Sequence, residues 1–160
     1  MNMQQAAEHA DAMMDETFRS VVPEIRWTHH STTAGKCDVM RRRAVLTIIS
    51  DARRGSFLGI VERHWKEKQY RITAVRSDKE RPAIYAVSPD GFGISLVFGQ
   101  ESQGFLEVAT PCVEKSEVAE PTSRPNGPSY PPGRIPAPNV RSPFWSAETP
   151  ASPSVQSSSS

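Results

Sequence analysis

The chain has 160 residues, 37% apolar and 23% charged, with 19 basic against 18 acidic side chains and a formal net charge of +1. That balance excludes a global field drawing the protein to nucleic acid or an anionic membrane, and the length allows one domain of ordinary size. Ten of the 14 prolines and a terminal run of four serines lie beyond Lys115, so folding is expected within about residues 1–114, where 15 acids meet 15 bases.

Residues 4–22 read as an amphipathic helix. Ala7, Ala10, Met14, Phe18 and Val21 recur at spacings of three and four, and Pro23 ends the run. Met1 to Phe18 contain Glu8, Asp11, Asp15 and Glu16 and no apolar stretch of seven, so they do not form a signal peptide. No later stretch has the length of a transmembrane helix. Ile25 and Trp27 are expected to cover one edge of the core, and Thr28 to Lys36, small and polar, reads as a loop.

Val39 to Ile49 is expected as the longest strand. Its last part is apolar on both faces and should therefore be central in the sheet. Ser50 or Asp51 can cap a helix running to about Lys68, with Phe57, Leu58, Val61 and Trp65 as its buried stripe. Gly55 and Gly59 lie four apart, and a close approach to the sheet would explain two glycines inside a helix. Four short strands follow at Tyr70–Arg76, Ala83–Ser88, Phe92–Phe98 and Phe105–Ala109, with Pro89-Asp90-Gly91 as a tight turn. The fold class is α+β, in the order α-β-α-β-β-β-β: one domain over 4–114, with a mainly antiparallel five-stranded sheet and both helices on one face. Residues 115–160 offer no apolar period and are expected to be a disordered tail. Phe144-Trp145, the sole aromatic pair there, reads as an isolated hydrophobic spot.

The two cysteines bracket the first and last strands. If those strands pair antiparallel, Cys37 meets Cys112 and a disulfide can join them, stabilising the fold by roughly 4 kcal/mol and implying an oxidising compartment. Two free thiols are the alternative.

The arrangement resembles small exported or lipid-anchored proteins of uncharacterised function in Streptomyces and related actinobacteria. The likeness is carried by Pro23-Glu24-Ile25-Arg26-Trp27-Thr28, by Cys37 to Asp51, by Arg53-Arg54-Gly55-Ser56-Phe57-Leu58-Gly59, by Trp65 and Tyr70, by Pro89-Asp90-Gly91-Phe92 and by Thr110-Pro111-Cys112-Val113. It covers nearly all of residues 5–113 and implies placement outside the cytoplasm, which requires an export signal upstream of Met1; without one the chain is cytoplasmic. It brings no active site to transfer.

Candidate chemistry is sparse. His29-His30 are adjacent, His9 and His64 are distant, and the cysteines lack the close partners of a zinc site, so no metal or other cofactor is expected. The glycines form no phosphate-binding or dinucleotide fingerprint. Arg41, Arg42 and Arg43 at a strand entrance, with Arg53 and Arg54 opening the next helix, are the candidate surface for a small anionic ligand or a protein partner. Arg41 and Arg43 should point one way and Arg42 the other, and a charge-balanced strand end is the plainer reading. Nucleic acid is disfavoured, because interleaved aromatics are missing. Three readings follow: a non-enzymatic extracytoplasmic binding module, a small hydrolase-like enzyme with its site scattered in sequence, and a structural homodimer.

Overall fold

The computed structural model describes residues 1–131 and 133–151. Two helices and six strands run in the order α1 (Met3–Arg19), β1 (Trp27–Ala34), β2 (Val39–Val45), α2 (Asp51–Glu67), β3 (Arg71–Arg76), β4 (Ala83–Val87), β5 (Gly93–Phe98) and β6 (Gly104–Ala109). They form an α+β domain with a single sheet in the spatial order β1-β2-β6-β5-β4-β3, every neighbouring pair antiparallel.

Helix α1 starts at a capping box in which Asn2 Oδ1 accepts from the Gln5 amide and Gln5 Oε1 accepts from the Asn2 amide. It stops at Arg19, three residues short of the expected end, since Pro23 has no amide hydrogen to donate to the Arg19 carbonyl and Val22 before it is steered away from helical dihedrals. Both helices lie over one sheet face. There Ile84 and Ala86 of β4, Ile94, Leu96 and Phe98 of β5, and Leu106 and Val108 of β6 form one buried cluster with Met13, Met14 and Phe18 of α1 and Phe57, Leu58, Val61 and Trp65 of α2. Burying each large apolar side chain stabilises by about 1.5–3 kcal/mol. Trp65 donates its indole N–H to the Thr17 hydroxyl at 3.0 Å, tying the helices together inside the core.

Strand β1 occupies the stretch expected to be a loop, and it makes the sheet six-stranded rather than five-stranded. Its residues are polar because it is an edge strand whose side chains meet charges: the Thr32 hydroxyl accepts from Arg41 at 3.1 Å. Strand β2 ends at Val45, and Leu46 to Ile49 leave the sheet. The Leu46 amide donates to the Arg26 carbonyl, the Ile48 amide donates to the Val140 carbonyl, and Leu46 O accepts from Asn139 and Val140. The stretch is apolar on both faces because the chain's own C-terminal segment covers it. Ile49 joins the main core.

The first expected strand does pair with the last, Met40 opposite Ala109 through Ala44 opposite Phe105. Cys37 and Cys112 are disulfide-bonded with Cα atoms 4.8 Å apart.

Residues 115–131 and 133–151 form neither helix nor strand, yet they lie against the domain. Asn126 caps the Trp27 amide at 2.8 Å, and the Ser146 hydroxyl donates to Ile48 O at 2.7 Å. Trp145 is fully buried, its ring 5.3 Å from Phe57 and its indole N–H donating to Pro23 O at 2.7 Å. Phe144-Trp145 is therefore an anchor, and the packed unit extends past residue 114. Residues 152–160 of the expected tail lie outside the described residues.

Candidate binding groove

The five sequence-selected arginines do not share a surface. Alternation along β2 sends Arg41 and Arg43 under α1 and Arg42 to the opposite face. Arg41 is 2% exposed and Arg43 0%, whereas a solvent-facing anion site needs free guanidinium groups. Arg41 Nε sits 3.2 Å from Asp11, and its Nη2 donates to Ala119 O at 2.9 Å. Arg43 pairs with Asp15 at 2.7 Å and stacks 4.0 Å above the Trp27 ring. Burial pushes the Asp11 carboxyl above its ordinary range while Arg41 and Arg43 draw it down. Burial likewise lowers the Arg43 guanidinium against the pull of Asp15.

Arg42, on the other face, pairs with Glu107 at 2.9 Å. Arg53 is buried against the Thr149 carbonyl and lies 4.5 Å over Phe144. Arg54 pairs with Asp51 at 2.7 Å and donates to Ile49 O and Glu80 O. It lines a recess of about 460 Å³ together with Lys79 and Arg141, but Asp51, Glu101 and Glu148 line it too. The arginine surface is thus corrected: Arg41, Arg43, Arg53 and Arg54 are buried struts, and Arg42 is tied to Glu107 on the opposite face. Asp11 and Asp15, the partners of Arg41 and Arg43, were visible in sequence as two acids four apart beside the apolar stripe of the first helix.

The candidate site lies elsewhere. A half-open groove of about 700 Å³ runs along the outer face of α2. Gly55 and Gly59 form its floor, with Ser56 and Ile60 beside them. Val22 and Pro23 form one wall, Phe144 and Ala151 line the groove from the C-terminal segment, and Arg63, His64 and Glu67 stand on the last turns of the helix. The glycines face away from the sheet, contrary to expectation: a Cβ built on either meets no atom within 4 Å. Val22 is 72% exposed, an unusual setting for a large apolar residue beside such a cleft. Burial lowers the His64 imidazole below its ordinary value, so near neutral pH it is an uncharged donor or acceptor. The far wall is fixed by Trp145 and by the Ser50 hydroxyl, which donates to Ala147 O. Sequence reading missed the groove because one wall lies more than 30 residues from its floor and the other more than 80.

The remaining candidate residues are held in other contacts. His9 Nε2 lies 3.2 Å from Asp90, and the Ser88 hydroxyl bonds the other oxygen of that carboxylate. A carboxylate between hydroxyl and imidazole reverses the order that activates a serine. His29 donates to Ser123 O at 2.6 Å and His30 packs 5.5 Å from the Phe105 ring. Among the described residues no group of three or more His, Cys, Asp or Glu is placed to hold a metal, and no helix is long and apolar enough to cross a membrane.

A scan against protein-family models finds no match for the chain, and a search of curated proteins finds none either.

Proposed function

We propose that the protein is a non-enzymatic binding module that works outside the cytoplasm and holds a largely apolar ligand in the α2 groove. The observation that carries this reading is the cleft of about 700 Å³ over two helix-interior glycines. The volume falls within the range of about 300–1,000 Å³ usual for ligand pockets, and the lining is mainly apolar with a few polar groups. Each glycine costs the helix about 1 kcal/mol relative to alanine, and no packing within the fold requires it. The disulfide and the resemblance to exported actinobacterial proteins support the compartment.

The neutral fluorescent probe N-phenyl-1-naphthylamine tests the reading. Saturable enhancement with the folded protein, lost in Gly59→Leu at an unchanged or raised Tm, is the expected result. An absence of saturable binding, or equal binding by the variant, overturns it. A small hydrolase is the second reading, favoured by His64 among the residues that line the groove. Its test is hydrolysis of p-nitrophenyl esters that is lost in His64→Gln.

A further inference from the structure

Resting on the groove reading, we infer that the occupant is a single-chain amphiphile whose anionic carboxylate head lies at Arg63 and whose apolar chain lies along Gly59, Gly55 and Phe144. Gly55, Gly59, Arg63 and Glu67 follow one another at four-residue spacing, so they form one row along the helix surface. From Gly55 to Arg63 the helix rises about 12 Å, room for an extended alkyl chain.

Two observations single out Arg63. A cation near the C-terminal end of a helix suits the helix dipole in any protein, so its presence alone says nothing. Its basic neighbours, however, are paired: Lys66 with Glu62 at 2.8 Å and Lys68 with Glu16 at 3.2 Å. Among the described residues Arg63 makes no ion pair and no side-chain hydrogen bond, and it lines the cavity directly. Beside it His64 supplies a hydrogen-bonding ring whose positive form is disfavoured by burial, which leaves Arg63 as the cation of the lining. Opposing the inference is Glu67, one turn further along the same row and also on the rim. Its carboxylate repels an anionic head and favours a cationic one, so head-group selectivity decides between the two ends of the row.

The experiment displaces N-phenyl-1-naphthylamine from the full-length oxidised protein with monomeric dodecanoate, dodecanol and dodecyltrimethylammonium. Dodecanoate should bind tightest. Arg63→Gln should weaken it roughly fivefold, as expected for a solvent-accessible charge contact, and leave dodecanol unchanged. Glu67→Gln should tighten dodecanoate. Equal affinities for the three heads, or preference for the ammonium, would overturn the carboxylate inference while leaving the groove reading intact. Failure of the naphthylamine probe itself to bind would sink both.

Discussion

Buried charge is the main device of this fold at the scale of single residues. Two guanidinium groups lie in the layer between α1 and the sheet, and each is held by an acid of α1. Removing one partner of such a pair strands the other, at a cost of about 3–5 kcal/mol, whereas an apolar replacement of both is often neutral. Arg41→Met should therefore lower the urea midpoint strongly, and adding Asp11→Leu should recover most of the loss. A double variant as unstable as the single one would show that Arg41 acts chiefly through Thr32 and Ala119 instead. A second residue sets the alkaline limit. Burial pushes the Tyr70 phenol up from 10.0 to about 12, with Glu16 and Asp90 adding to the shift. An acid whose folded pKa is raised contributes stability that is complete below its unfolded pKa and is lost as pH rises through the folded value. Stability should fall between pH 10 and 12, and Tyr70→Phe should flatten that fall in urea titrations across the window.

Helix α2 shows two opposite faces at the scale of elements. Its inner face buries Phe57, Val61 and Trp65 completely. Val61→Asp places an unpaired charge there and should abolish cooperative unfolding. The outer face has slack, because nothing obstructs a Cβ at Gly55 or Gly59. The pair Gly55→Ala and Gly59→Ala should raise stability by roughly 1 kcal/mol each through helix propensity, and thermal melts would register the gain. A loss instead would mean that the glycines serve the fold rather than the groove. The segment from 142 to 151 behaves as a third packed element despite having no regular structure. Trp145→Ala should cost about 3–5 kcal/mol, the usual penalty for emptying a fully buried tryptophan site, measurable by chemical denaturation. It should also weaken naphthylamine binding, because Phe144 and Ala151 lose their support.

The whole molecule is an open six-stranded sheet tied to the C-terminal segment by covalent and non-covalent links. The disulfide spans a sequence separation of 75, and closing a loop of that size stabilises by about 4 kcal/mol in the chain-entropy account. Cys37→Ser with Cys112→Ser should lower the melting temperature markedly while keeping the sheet, as read by far-ultraviolet circular dichroism. Further ties follow the bond along the chain: Val113 N donates to Cys37 O at 2.7 Å, Glu114 bridges to the start of α1, and Asn126 and Val140 pin the later turns.

The sequence by itself determined the two helices, four of the six strands nearly to their ends and the turn at Gly91, and it offered the pairing of Cys37 with Cys112 that the structure contains. Each of these is written in local periodicity or in the positions of a few residues, which neighbouring physics reads directly. Strand β1 escaped because an edge strand facing charges carries no apolar alternation. The end of β2 escaped because an apolar stretch looks the same whether a sheet or a returning chain covers it. Arg41-Arg42-Arg43 looked like a surface because sequence shows charge but not the acids that approach from another element. The groove was decided by tertiary structure alone: its floor is two glycines of one helix, and its walls arrive from residues 22–23 and 144–151. Only packing of the C-terminal segment on the core brings such distant parts together.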